Sequence, residues 1–126
     1  MPIIMNVDHA RKQVDTVALG RITYAEVEKH LLQERCFEGL AYKELIDARS
    51  AALSFALYPS EIRNTVALIR SLSKEFKFGP NAIMVPNDYA VGIIHMLGFL
   101  VEDVAELRPF RDEQEARSWL AAQQVN

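Results

Sequence analysis

Apolar and polar positions alternate along this chain as short apolar runs followed by longer amphipathic stretches. Ile3 and Ile4 open a brief apolar run, and Val14 to Leu19 form a second after the polar segment 8–13. Two strands joined by a turn are the expectation, the first weakened by Pro2, which has no N–H to give a sheet ladder. Gly20 punctuates the second strand, and Thr23 opens the segment TYAEVEKHLLQE. Thr23 is placed to accept a hydrogen bond from a helix N–H, Glu26 stands at the reciprocal capping position, and Ile22 and Val27 are spaced as a hydrophobic staple. Val27, Leu31 and Leu32 give this helix one apolar face, which predicts that it lies on a core.

Tyr42 to Ala48 reads as a third strand, while the stretch from Arg49 to Tyr58 stays open between a strand, a short helical connection and a loop that packs inwards, the loop being preferred. Pro59 and Ser60 announce a helix to about Lys74, with Ser60 as its cap and Ile62, Val66 and Ile69 as its stripe. Ala82 to Val85 is a short, nearly uniform apolar run, the mark of a strand covered on both faces. Pro86 stops it, and Asn87 or Asp88 is placed to cap a long helix carrying Val91, Ile94, Met96, Leu97 and Val101. That helix is apolar around much of its circumference, which predicts deep packing or an interface. Val104 to Phe110 reads as a last strand, with Pro109 placing it near an edge or at a strand end, and Asp112 with Glu115 opens a final helix that docks through Trp119. The order β-β-α-β-α-β-α-β-α over residues 1–126 predicts a single α/β domain with a mixed four- or five-stranded sheet flanked by helices.

Composition changes this picture little. The chain has 126 residues, half of them apolar, enough for one sizeable core but not for separate cofactor and catalytic domains. Its 14 Lys and Arg against 17 Asp and Glu are mixed along the chain, so no basic footprint for nucleic acid is expected. Cys36 is the lone cysteine, which fits a reducing compartment and the role of a small hydrophobe. The start of the chain lacks a basic segment followed by a long apolar stretch, and the other apolar runs are interrupted. A cytoplasmic protein without membrane insertion is the expectation.

The ordered set of motifs Gly20-Arg21-Ile22-Thr23 with Glu26, Leu45-Ile46-Asp47-Ala48-Arg49, Ala82-Ile83-Met84-Val85, and Phe110-Arg111-Asp112 with Glu115-Ala116 and Trp119-Leu120 resembles the STAS-like proteins related to the anti-sigma-factor antagonist SpoIIAA, especially their short bacterial versions. The resemblance covers most of the chain. It implies a four- or five-stranded sheet with helices, acting in the better-known relatives as a protein-interaction switch. Regulated relatives carry a phosphorylatable serine in an Asp-Ser-Ser-Gly-like segment at a helix start, and this chain has no such segment. Ser50 and Ser60 are the remaining candidate phosphosites; a phosphate at Ser60 is electrostatically compatible with a helix N-terminus, although turn and cap chemistry explains both residues.

The chain has no Gly-rich phosphate loop, HExxH, GxSxG or CxxC motif, so no cofactor, metal or catalytic residue is assigned. His9, His30 and His95 are far apart, and His30 is placed for a surface pair with Glu26 one helical turn earlier. Asp47 attracts interest because ligands of open α/β sheets approach beyond the carboxyl ends of strands. Arg49, Ser60, Asn87, Asp88 and Tyr89 are expected near the same edge, forming a polar surface for a ligand or partner. Phe76 and Phe78 read as a packing cluster at a helix end, while Met96, Phe99 and Leu100 compete between core and dimer seam. The leading expectation is a non-enzymatic regulatory or protein-binding module, with a protein partner or a second copy of the chain. A small apolar-ligand or lipid carrier is the first alternative, favoured by an apolar cavity beneath the Asn87 helix. An acid–base enzyme centred on Asp47 and Arg49 is the second.

Overall fold

The computed structural model describes residues 3–33 and 36–124; Pro2 and Glu34, at the ends of two expected elements, lie outside them. Strands β1 (Ile3–Asp8) and β2 (Gln13–Arg21) form an antiparallel hairpin, with Ile3 opposite Ala18 and Asp8 opposite Gln13. The polar segment between them folds into the turn, where the Arg11 amide donates to Asp8 Oδ1 at 3.1 Å. Helix α1 (Tyr24–Leu31) starts where the capping residue predicts: Thr23 Oγ1 accepts from the Glu26 amide at 3.4 Å. A two-stranded ribbon follows, β3 (Cys36–Phe37) with β4 (Leu40–Ala41), and then β5 (Lys43–Ala52). A single 3₁₀ turn (Ser54–Leu57) leads to α2 (Pro59–Leu72), β6 (Asn81–Met84), α3 (Asp88–Leu100), β7 (Leu107–Phe110) and α4 (Glu113–Ala121).

The main sheet has the order β1-β2-β5-β6-β7. Only the β1–β2 pair is antiparallel; β2 with β5, β5 with β6 and β6 with β7 are parallel. Parallel neighbours cannot be joined by a tight turn, so each step carries a crossover helix back across the sheet. The predicted mixed sheet with helices on both faces is therefore the observed architecture, with the small β3–β4 ribbon added.

Side chains alternate between two packing layers. Leu45, Ala82 and Met84 meet Ala116 and Leu120 of α4 on one face. On the other, Ala18, Ala48, Ile83 and Val85 meet Ala90, Ile94 and Leu97 of α3, with Val27 of α1 and Ile62 and Val66 of α2 packed against them. Phe78 is buried in a cluster with Ile69, Leu72 and Val101, and its ring lies 4.9 Å from that of Phe76, the expected helix-end packing. Trp119 is half-buried against Phe110, at 5.8 Å between rings, so it docks α4 together with the fully buried Ala116 and Leu120.

Three boundaries differ from the sequence expectation. Residues 49–52 are not loop: they continue β5, held by pairing with β2 as far as Arg21 opposite Ala52, across an irregularity between Val17 and Leu19. Ser60 is not a cap. Tyr58 occupies the cap position with no side-chain hydrogen bond, and Pro59 opens the first turn, where its missing N–H costs nothing and its ring presets φ. The last strand begins at Leu107, because the amides of Val104 and Ala105 both turn back onto the Val101 carbonyl to close α3.

Candidate ligand cavity with a buried polar end

The face of the sheet beneath α1, α2 and α3 carries polar side chains where alternation requires inward-pointing residues. Val14, Thr16 and Ala18 of β2 point the same way, as do Glu44, Ile46 and Ala48 of β5. Thr16 and Glu44 are each 2 % exposed. Thr16 Oγ1 donates to Glu44 Oε2 at 2.6 Å, and His30 Nε2 reaches the same oxygen at 2.7 Å from α1. A carboxylate taken out of water costs several kcal/mol unless it is hydrogen-bonded, and two groups converging on one oxygen meet that demand. Asn81 stands opposite Glu44 in the β5–β6 register and extends the polar row; its Nδ2 donates to the Gly79 carbonyl at 3.0 Å. Thr65 of α2, also buried, donates its hydroxyl to the Glu61 carbonyl at 2.8 Å.

Thr16, His30, Glu44, Thr65 and Asn81 line a cavity of about 130 Å³ between the sheet and the three helices. The rest of its wall is apolar, including Ile22, Leu53, Phe55, Ile83, Ile94 and Leu97. Ile94 and Leu97 lie on α3, the helix that Asn87 caps by accepting from the Ala90 amide at 2.9 Å. The cavity thus has one polar cluster and an otherwise apolar wall, the usual composition of a small-molecule site.

The residues singled out from the sequence lie elsewhere, and none of Asp47, Arg49, Ser50, Ser60, Asn87, Asp88 and Tyr89 lines this cavity. Because β5 runs on to Ala52, Asp47 stands mid-strand rather than at a strand end. The Arg49 Nε and Nη2 donate to the two Asp47 carboxylate oxygens at 2.9 Å each, and Nη2 also reaches Glu113 Oε1 at 3.1 Å. Arg117 Nε closes this surface chain on Glu113 Oε2 at 2.8 Å. Asp88 pairs instead with Arg111 at 3.0 Å, Tyr89 is exposed, Ser50 is exposed on β5, and Ser60 is exposed in the first turn of α2.

The hydrogen bonds from Arg49 hold the Asp47 carboxyl below its ordinary range, against the opposing effect of partial burial. The pair's contribution to stability is present above the unfolded carboxyl's value, about 3.9, and is lost as pH falls through the lower folded value. Arg49→Met is expected to move the Asp47 titration upwards, read from its side-chain carboxyl carbon by NMR. An unchanged midpoint would mean that the pair does not persist in solution.

His30 overturns a sequence expectation. It does not sit on the surface beside Glu26; it is 9 % exposed and bonded to Glu44. Its signal was its spacing, since His30 falls three residues after Val27 and one before Leu31 on the face that meets the core. Cys36 is half-buried, with Sγ 3.1 Å from the Lys77 carbonyl. Among the described residues no three His, Cys, Asp or Glu side chains gather in a way that would hold a metal ion, and no helix is long and apolar enough to cross a membrane.

A solved structure shares this architecture across nearly the whole chain: an uncharacterized protein of the DUF3478 family with a SpoIIAA-like fold, from Shewanella loihica PV-4. The two are 19 % identical and superpose with a TM-score of 0.55, covering 94 % of this chain and 93 % of that one. The fold is SpoIIAA-like. This SpoIIAA-like fold is the one that the order of motifs led us to expect. No protein-family model matches the chain, and no curated protein matches it significantly.

Proposed function

We propose that this protein is a non-enzymatic binding module whose ligand is a small, largely apolar molecule held between the sheet and helices α1 to α3. The observation that carries the reading is the cavity beneath α3, with its apolar wall and single polar cluster. Its size narrows the ligand. An engineered cavity of about 150 Å³ lined by Leu, Ile and Phe stays dry and binds benzene; a space of about 130 Å³ therefore suits a molecule of the same order and not a long acyl chain. The carrier reading is thus preferred in a restricted form, for a small molecule rather than a membrane lipid.

Ala48 lines the cavity from β5 and is buried. Ala48→Ile adds a β-branched side chain suited to a strand, pointing into the space. Toluene binding, followed by ligand-observed NMR, is expected in the parent protein and to weaken at least about tenfold in the variant, a difference of about 1.4 kcal/mol. The melting temperature should hold or rise, because the same change in a close-packed core costs about 1–3 kcal/mol. A variant that binds toluene as well as the parent, or a parent that does not bind it, sinks the reading.

One observation favours the second reading, a protein-binding surface. Tyr89, Met96, Phe99 and Leu100 leave an exposed apolar stripe along α3, with Phe99 70 % exposed. Helix faces of this kind mark contact sites more often than isolated exposed residues do. The two readings separate experimentally, since Phe99→Ser would disrupt partner capture while leaving toluene binding unchanged.

A further inference from the structure

We infer that the free edge of β1 is a dimerisation surface, on which β1 of a second copy of this chain pairs antiparallel about a two-fold axis with Met5 opposite its own counterpart. The two sheets then continue as one.

The two edges of the sheet are not alike. At one end β7 has four residues, carries Pro109, which has no N–H to offer, and holds Arg108 over the Trp119 ring at 5.4 Å. Short length, proline and charge are the devices that keep an edge from adding strands. At the other end β1 has six residues, with neither proline nor charge from Ile3 to Val7. Its one charged residue, Asp8, stands at the strand end and accepts from the Arg11 amide of its own turn. Among the described residues β1 pairs with β2 on one side and with no strand on the other. Six residues leave an edge of about 20 Å with outward N–H and C=O groups.

The side chains of β1 fit a second β1. Ile3, Met5 and Val7 alternate onto the helix side of the sheet and are each half-buried, opposite Ala18, Thr16 and Val14 of β2. Ile4 and Asn6 point the other way and are exposed. With Met5 on the axis, Ile3 meets the partner's Val7 and Ile4 meets the partner's Asn6. The half-buried apolar row is thus continued by a second apolar row, and no charge lies within the overlap from Ile3 to Val7. A slip of one residue would set the apolar row against the exposed one. A slip of two either sets Asp8 against the partner's Ile4 or leaves an overlap of only Ile3 to Met5 among the described residues.

The outer face of the hairpin agrees with this pairing. Helix α4 packs on β5, β6 and β7, and on the same side of the sheet Ile4 is 54 % and Val17, its pair partner, 40 % exposed. In the dimer the two copies of Ile4 become diagonal neighbours across the axis, close enough to touch. Ile3 also lines the cavity together with Ala18, so the paired edge fixes the outermost wall of that space.

The test uses the full chain in sedimentation velocity and native mass spectrometry over a concentration series, since so short an edge belongs with the weaker interfaces. The parent protein should associate to a dimer as its concentration rises. Met5→Lys sets two like charges opposite each other at the axis and should weaken the dimer at least about tenfold, and Met5→Glu should do the same. An equimolar mixture of these two variants should restore a dimer containing one of each, because opposite charges then face each other in this register. Circular dichroism checks that each variant is folded. Ile4→Lys, at an exposed position that the fold does not need, should also weaken the dimer and carries the test should the Met5 variants not fold. Phe99→Ser, on the α3 stripe, should leave the dimer unchanged. A parent that stays monomeric at every concentration, a dimer kept in Ile4→Lys but lost in Phe99→Ser, or folded Met5 variants that do not associate when mixed, overturns the assignment.

Discussion

Gly79→Ala is expected to lower the folding free energy by about 3 kcal/mol or more, the upper end of the range for overpacking. A Cβ built on Gly79 would lie 2.2 Å from the Tyr42 carbonyl oxygen and 2.8 Å from that of Ala41. Both contacts are with backbone, so no side-chain rotation relieves them. The surrounding segment is also held from both sides: the Glu44 amide donates to the Pro80 carbonyl at 2.9 Å, and Asn81 Nδ2 donates to the Gly79 carbonyl at 3.0 Å. Relief requires β6 to move away from β5 where Glu44 and Asn81 stand side by side, and the polar end of the cavity moves with it. Gly92→Ala is the control. Nothing lies within 4 Å of a Cβ at Gly92, which is exposed inside α3, so alanine there should stabilise by about 1 kcal/mol through helix propensity alone. Urea denaturation of both variants reads the contrast; a Gly79→Ala protein as stable as the parent would mean that β4, β5 and β6 do not approach as described.

Glu44→Leu should cost about 3–5 kcal/mol, the range for removing one partner from a buried charged network. The substitution fits the space approximately but deletes the oxygen on which Thr16 and His30 converge, at 2.6 and 2.7 Å. Thr16→Val alone removes one neutral donor to a carboxylate and should cost about 1.5–3 kcal/mol. Because the two side chains share one hydrogen bond, the double variant should be more stable than the sum of the singles predicts, by about 0.5–3 kcal/mol. Strict additivity in that cycle would show that Thr16 and Glu44 do not interact in solution, and the polar end of the cavity would lose its definition.

Much of the architecture was legible because its signals are local. Thr23, Asn87 and Asp112 each cap the helix they were expected to cap, accepting from an amide three residues on. That hydrogen bond spans a single turn, so the residue type and the apolar spacing after it suffice. The run from Ala82 to Val85 was readable to within one residue of the observed strand Asn81–Met84, since three of that strand's four positions are apolar and all four are buried. Reading failed where the local signal was weak. The segment ARSAAL lacks a clear period, and its strand character comes from pairing with β2. Ser60 has the right residue type for a cap, but Pro59 begins the helix one residue earlier.

The cavity belongs to a different class of question. The sequence by itself determined the order of the main strands and helices, apart from the β3–β4 ribbon and the extension of β5. Only the tertiary structure decided that Thr16 and Glu44, 28 residues apart, share a proton-donating contact and that His30, 14 residues from Glu44, closes on the same oxygen. Capping and periodicity act within a few residues of backbone, whereas a buried polar cluster forms only when β2 and β5 pair in one register and α1 is laid across them. That register is set by the packing of the whole sheet face, to which every strand contributes.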